Sequence, residues 1–167
     1  GGGGRRRGRR CREGEVGGGR GEMQRAGADF AITRANGGGL ESWRPLLARV
    51  QDRADEVAPG LADELGGELD ALEACWPNDS SGGLPGGVIH ADLFPDNVFF
   101  RDGKLAGLLD FYFACDDMFV YDLGICINAW CFEPDFSFNI TTANRVLTAY
   151  RQRRDSPDEH MAPPPLL

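Results

Sequence analysis

Two short apolar runs, Val98 to Phe100 and Leu105 to Leu109, stand on either side of Asp102-Gly103. Both residues of that dipeptide tolerate positive φ, so the pattern predicts a β-hairpin. The hairpin constrains what surrounds it, because its open end carries polar groups on both sides. His90-Ala91-Asp92 and Asn97 precede the first strand, and Asp110 follows the second directly. Pairing the strands would bring Asn97 and Asp110 close together.

That spacing has a chemical meaning. An Asp five residues before an Asn, with a second Asp at the end of the next hairpin, is how protein-kinase-like enzymes arrange phosphoryl transfer. In that template Asp92 accepts the proton of the substrate hydroxyl. Asn97 and Asp110 hold magnesium against the nucleotide phosphates. Magnesium keeps several waters, so one carboxylate and one amide suffice as protein ligands. Taken singly, His-x-Asp is a weak signal and Pro95-Asp96-Asn97 reads as an ordinary turn; the joint pattern carries the reading. A metal-dependent hydrolase centred on His90, Asp92 and Asp110 is the rival enzyme class, but it would want a further His, and only His160 remains. The non-enzyme rival is an inactive fragment or pseudokinase that acts as a binding module.

Three strings extend the pattern: His90 to Asn97 (HADLFPDN), Leu108 to Cys115 (LLDFYFAC) and Tyr121 to Glu133 (YDLGICINAWCFE). Over about residues 29 to 150 they resemble bacterial homoserine kinases of the aminoglycoside-phosphotransferase and choline-kinase superfamily. The resemblance implies ATP-dependent phosphorylation of the L-homoserine hydroxyl in threonine biosynthesis, with ATP and Mg2+ as cofactors. It also implies that His90 orders the loop backbone and that Asp122 fixes the same loop from a helix. For Asp122 a plain helix N-terminal charge, favoured by the dipole, is the competing explanation. Ala91 stands where many aminoglycoside phosphotransferases have Gly, and Tyr112 where protein kinases have Gly; neither departure removes a catalytic group.

Charge and cysteine usage narrow the surroundings. The net charge of −8 is unevenly spread: residues 1–28 hold eight Arg against three Glu, a balance of +5, which leaves −13 for the rest. So acidic a body disfavours nucleic acid and anionic membrane as partners, and it would repel ATP unless an ion and local donors offset the charge. The five cysteines, Cys11, Cys75, Cys115, Cys126 and Cys131, contain no Cys-x-x-Cys and indicate neither a disulfide framework nor a zinc site. No apolar run approaches the roughly 18 residues that cross a bilayer. These features suit a cytoplasmic protein.

The expected organisation has three parts. Residues 1–28, with eleven Gly and eight Arg, bury too little to offset chain entropy and are expected to be disordered. Residues 29–154 are expected to form the C-terminal lobe of a protein-kinase-like fold, α+β and mainly helical, with the hairpin at its active edge. Residues 155–167 are expected to be a flexible tail. Within the lobe, Trp43, Leu46, Leu47, Val50, Ala54 and Val57 predict one helix from Ser42. Leu61, Leu65, Leu69, Leu72 and Trp76 predict a second, both stripes reading as core. Met118 to Phe132 predicts a helix buried on several sides, with Asn128, Trp130 and Glu133 as candidates to face substrate. Val146, Leu147 and Tyr150 mark a last helix capped near Thr141. At this length the chain is expected to lack the small nucleotide-binding N-terminal lobe of a complete kinase. Lys104, the only lysine, sits at the hairpin tip, and Arg34 has no strand pattern around it, so neither replaces the lysine of that lobe.

Overall fold

The computed structural model describes residues 3–77 and 83–154. The predicted hairpin forms from β2 (Val98–Arg101) and β3 (Lys104–Leu108), paired antiparallel from Val98 opposite Leu108 to Arg101 opposite Lys104. Asp102 and Gly103 have φ of 53° and 80°, the left-handed pair that a two-residue hairpin turn requires. A bulge between Phe99 and Phe100 shifts the register, so Phe99 faces Gly107 while Phe100 faces Leu105. A second antiparallel ladder, unforeseen in the sequence, joins β1 (Gly86–Ile89) to β4 (Cys115–Met118). The chain therefore runs β1, loop, β2, β3, loop, β4, and pairing within both ladders sets the two loops side by side.

Helices back these ladders. α4 (Phe119–Trp130) buries Phe119, Asp122, Leu123 and Cys126, a stripe at three- and four-residue steps, and α5 (Ile140–Arg154) buries Thr142, Ala143, Val146 and Tyr150. The cap of α5 is Asn139, two residues before Thr141: its Oδ1 accepts the Thr142 N–H at 3.0 Å. The main core joins Val16, Leu93, Val98, Leu123, Cys126, Cys131, Ala143, Val146 and Tyr150. Leu93, from the loop before β2, is fully buried in it. The polar loop is thus tethered to the core by its own apolar residue.

Residues 1–28 depart from expectation. Instead of a disordered extension, Gly3–Ala26 form the helix α1, which lies along α5. Val16, Arg20 and Gln24, four residues apart and so on one face, are fully buried. The glycines enable the approach. A Cβ on Gly17 would stand 2.2 Å from the Val146 carbonyl oxygen, and one on Gly21 would stand 3.1 Å from that of Tyr150. Composition suggested disorder because glycine has no side chain to bury and costs a helix about 1 kcal/mol relative to Ala. What composition omits is that two glycines one turn apart let a helix backbone pack directly on its neighbour. The stability of such a helix comes from tertiary contact.

The described residues divide into two compact units, 3–35 with 84–154, and 36–77 with Gly83, where a single lobe over 29–154 was expected. The second unit is a helical hairpin, α2 (Leu40–Ala54) and α3 (Leu61–Cys75), with Arg44 bridging to Asp70 and Glu73 and Trp43 edge-on to Trp76 at 5.5 Å. α2 begins two residues before Ser42, so Pro45 lies inside the helix. Of the two expected core stripes only Ala54 is buried, while Leu46, Val50, Val57 and, in α3, Leu65 are exposed. Two helices shield only the faces they turn to each other. The expected tail, residues 155–167, and His160 within it fall outside the described residues, as does the start of the loop before β1.

Candidate active site

The two adjoining loops carry the polar residues singled out in the sequence. In the first, Asn97 is held by three bonds: its N–H donates to the Phe94 carbonyl at 3.0 Å, and its Nδ2 donates to the Asp92 carbonyl at 2.8 Å and to Asp92 Oδ2 at 3.0 Å. Pro95–Asn97 make one 3-10 turn, entered through a fixed proline φ, which closes the five-residue step between Asp92 and Asn97. The second loop is tied to the first by backbone. The Leu109 N–H donates to the Asn97 carbonyl at 2.9 Å, continuing the hairpin ladder by one bond, and Asp110 is the next residue. Asp92, Asn97 and Asp110 are thus brought to one edge of the fold.

His90 is fully buried at the root of this edge. Its Nε2 lies 2.9 Å from the Leu109 carbonyl, which can only accept, so Nε2 carries the proton. The ring also packs on Phe111 with centroids 4.6 Å apart. His90 therefore fastens one loop to the other. Asp110 has φ 58° and its Oδ1 accepts the Tyr112 N–H at 3.4 Å, a long bond that opens the 3-10 turn Phe111–Phe113. Asp92 and Asn97 are half-buried, while Asp110 is exposed.

The donor set fits magnesium. Both groups that Asn97 Nδ2 contacts are acceptors, so the amide orientation is dictated and Oδ1 is turned away from Asp92. That leaves an amide oxygen and the Asp110 carboxylate as hard oxygen ligands, the type and number that magnesium accepts while keeping waters. Among the described residues no group of three or more His, Cys, Asp or Glu side chains is placed to hold a metal, the arrangement that zinc or iron would favour.

Beneath the loop lies Asp122, with no exposed surface, in the first turn of α4. Its Oδ1 accepts the Ala91 N–H at 2.9 Å, so this carboxylate holds the backbone immediately before Asp92. Ala91 has φ 61°, a left-handed conformation that costs a residue with a Cβ about 1–2 kcal/mol. The carboxylate also forms an ion pair with Arg20 and accepts from Gln24 Nε2 at 3.0 Å, both from α1. Arg20 and Gln24 escaped notice in the sequence because they lie in the stretch read as disordered. The signal that could have revealed them is the four-residue step Val16, Arg20, Gln24 beside the step Gly17, Gly21.

Other expectations resolve case by case. Trp130 is half-buried and its Nε1 donates to the Leu93 carbonyl at 2.8 Å, which makes it a further tether of the loop. Glu133 Oε1 accepts from Asn139 Nδ2 at 2.6 Å and serves the start of α5, whereas Asn128 is exposed. Arg34 lies nearer the site than its sequence setting suggested. Its backbone exchanges two 2.8 Å bonds with Asp116, and its guanidinium donates to the Tyr112 carbonyl, two residues beyond Asp110. Lys104 is at the hairpin tip, as expected. Phe94, Phe99, Leu109, Phe111, Tyr112 and Phe113 are exposed around this edge, an apolar rim to a polar centre.

The model of the phosphotransferase enzyme family matches residues 7–156. This chain belongs to that family. Among its relatives is a homoserine kinase of Rhodospirillum rubrum, 56% identical over 142 residues, which cover 85% of this chain and 43% of the relative. A homoserine kinase of Xanthobacter autotrophicus is 54% identical over 140 residues, covering 84% and 42%. The chain spans less than half the length of these curated relatives. Among solved structures, an aminoglycoside-3'-phosphotransferase of type VIII superposes with a TM-score of 0.66 at 21% identity, over 90% of this chain and 56% of that one. The macrolide 2'-phosphotransferase MphH from Brachybacterium faecium gives 0.57 at 22% identity, over 90% and 48%. The fold of this phosphotransferase chain is the helix-rich α+β architecture anticipated from its sequence.

Proposed function

We propose that this chain carries the acceptor-activating and metal-binding part of an ATP-dependent homoserine kinase. The carrying observation is the bonding of Asn97, whose Nδ2 is spent on Asp92, which leaves Oδ1 uncommitted to Asp92 on a loop whose backbone is bonded to the residue before Asp110. Asp92 then has one role free to it: Oδ2 is held by Asn97, and the carboxylate orients the acceptor hydroxyl and takes up its proton. Asn97 Oδ1 and Asp110 would hold the magnesium ion, which when bound neutralises charge on the transferring phosphoryl group. His90 and Asp122 keep the loops in register. Positioning of this kind supplies most of the catalysis in phosphoryl transfer, whose dissociative transition state asks little covalent chemistry of the protein.

The acceptor is taken from the relatives, homoserine kinases at 56% and 54% identity. L-homoserine as substrate, a place in threonine formation and a cytoplasmic location are part of this proposal. Among the described residues no helix is long and apolar enough to cross a membrane. The strand lysine that grips nucleotide phosphates in kinases has no counterpart in Lys104 at the hairpin tip. The apolar rim is the surface that a nucleotide-covering lobe would close over.

The test is an ADP-release assay with ATP, magnesium and homoserine, run on the chain alone and on the chain joined to the remaining segment of a full-length relative. The joined protein should turn over homoserine in preference to choline or aminoglycosides, and the chain alone should fall short of the roughly 1–100 s⁻¹ typical of kinases. In the joined protein Asp92→Ala should lower kcat by about 10²–10⁴-fold, whereas Asp110→Ala should chiefly weaken magnesium-nucleotide binding. Near-normal turnover by the Asp92 variant would refute the assignment.

A further inference from the structure

Four side chains from three helices form a buried polar relay under the loop that carries Asp92. Tyr150 of α5 donates its hydroxyl to Gln24 Oε1 at 2.7 Å, and Gln24 Nε2 donates to Asp122 Oδ2 at 3.0 Å. Arg20 is ion-paired with the same carboxylate and also donates to the Asp122 carbonyl. Asp122 Oδ1 accepts from the Ala91 amide at 2.9 Å. Arg20, Gln24, Asp122 and Tyr150 are each at most 2% exposed.

The geometry points to Arg20 and Gln24 as positioning residues for the catalytic loop, acting through Asp122. A carboxylate enclosed in a core stays ionised only if it is paired and hydrogen-bonded. Arg20 supplies the charge, and Gln24 fixes which way the carboxylate plane faces, since it occupies Oδ2 and leaves Oδ1 to the loop. The bond from Ala91 is then charge-assisted, the stronger class of hydrogen bond. It is also made where it matters, at a residue with φ 61° that would relax to negative φ if released. A changed backbone at Ala91 would swing the side chain of Asp92, the next residue. The close seam between α1 and α5, allowed by Gly17 and Gly21, brings Arg20 and Gln24 within reach. The inference rests on Asp92 acting as the base, as proposed above, but its test does not use turnover.

The experiment is residue-resolved amide hydrogen exchange of the ¹⁵N-labelled chain, without nucleotide, comparing Arg20→Met, Arg20→Lys and Gln24→Leu with the parent. The readout is the Ala91 amide, with the amides of Phe99 in the hairpin and Val146 in α5 as references. Arg20→Met should accelerate Ala91 exchange by at least about tenfold, as expected for loss of a charge-assisted bond. Arg20→Lys, which keeps the charge, should restore most of the protection. Gln24→Leu should accelerate Ala91 several-fold and leave Phe99 and Val146 within about twofold of the parent. If Arg20→Met does not fold, Gln24→Leu decides the matter, because it removes no charge. An unchanged Ala91 amide in folded variants overturns the proposal, and so does equal acceleration of Ala91, Phe99 and Val146, which would mean general loosening. Selective acceleration of Ala91 in these variants combined with no homoserine turnover in the joined parent protein would instead count against the proposed function alone.

Discussion

Replacing glycines of α1 by alanine should change stability in opposite directions depending on which face they occupy. At Gly14 a Cβ would meet nothing within 4 Å, so Gly14→Ala should yield only the helix-propensity gain of about 1 kcal/mol. At Gly17 the same gain is available, but the new Cβ would stand 2.2 Å from the Val146 oxygen and 2.9 Å from its carbonyl carbon. Carbon and oxygen approach no closer than about 3.3 Å even in weak hydrogen bonds. The helices must therefore part by roughly 1 Å, and the obstacle is α5 backbone, which has no rotamer to yield. Overpacking costs about 1–3 kcal/mol, and the upper end applies here, so the net loss should be about 2 kcal/mol. Gly19→Ala meets Leu105 Cδ2, a flexible side chain, and should fall between the two. For a chain of this size 1 kcal/mol moves Tm by about 2–4 °C. Thermal unfolding should show Gly14→Ala melting about 2–4 °C higher and Gly17→Ala about 4–8 °C lower than the parent. Equal stabilisation by both substitutions would refute the packed seam and return residues 1–28 to a helix held by nothing, or to no helix.

Two further outcomes follow from the backbone and the buried thiols. Ala91→Gly removes left-handed strain worth about 1–2 kcal/mol while adding unfolded-state entropy of about 0.5–1 kcal/mol, so its urea midpoint should match or slightly exceed the parent's. Ala91→Val, with a β-branched residue at φ 61°, should fall well below it, and the reverse order would contradict the observed conformation. Burial pushes the Cys115 thiol from 9.0 up to about 11 and that of Cys131 up to about 12. A folded pKa above the unfolded value means stability is intact below about pH 9 and declines as pH rises through the folded values. Unfolding midpoints should therefore drop between pH 9 and 11 by more than in a Cys115→Ala/Cys131→Ala variant. Alkylation at pH 8 should modify exposed Cys75 before Cys115, Cys126 or Cys131.

What the sequence by itself determined is whatever depends on near neighbours along the chain. Asp102-Gly103 between two apolar runs sufficed for the hairpin, because turn chemistry and strand alternation act over a dozen residues. Once the hairpin is granted, the Leu109 to Asn97 bond and the placement of Asp110 follow from register, and the Asp92 to Asn97 step is closed by one short turn. The amphipathic helices were legible for the same reason, as periodicity is local. The β1–β4 ladder was not. Gly86-Gly87-Val88-Ile89 and Cys115-Asp116-Asp117-Met118 have no shared alternation, and they meet only because the intervening hairpin folds back. Asp122 was visible as a carboxylate in an apolar helix, but its partners were not. Arg20 is 102 residues away, and Gln24 is 98. Their stretch looked disordered because composition counts side chains, and glycine has none to count. Only tertiary structure could show that Gly17 and Gly21 are the surface on which α5 rests, since close backbone approach is a property of two helices together and is written in neither of them alone.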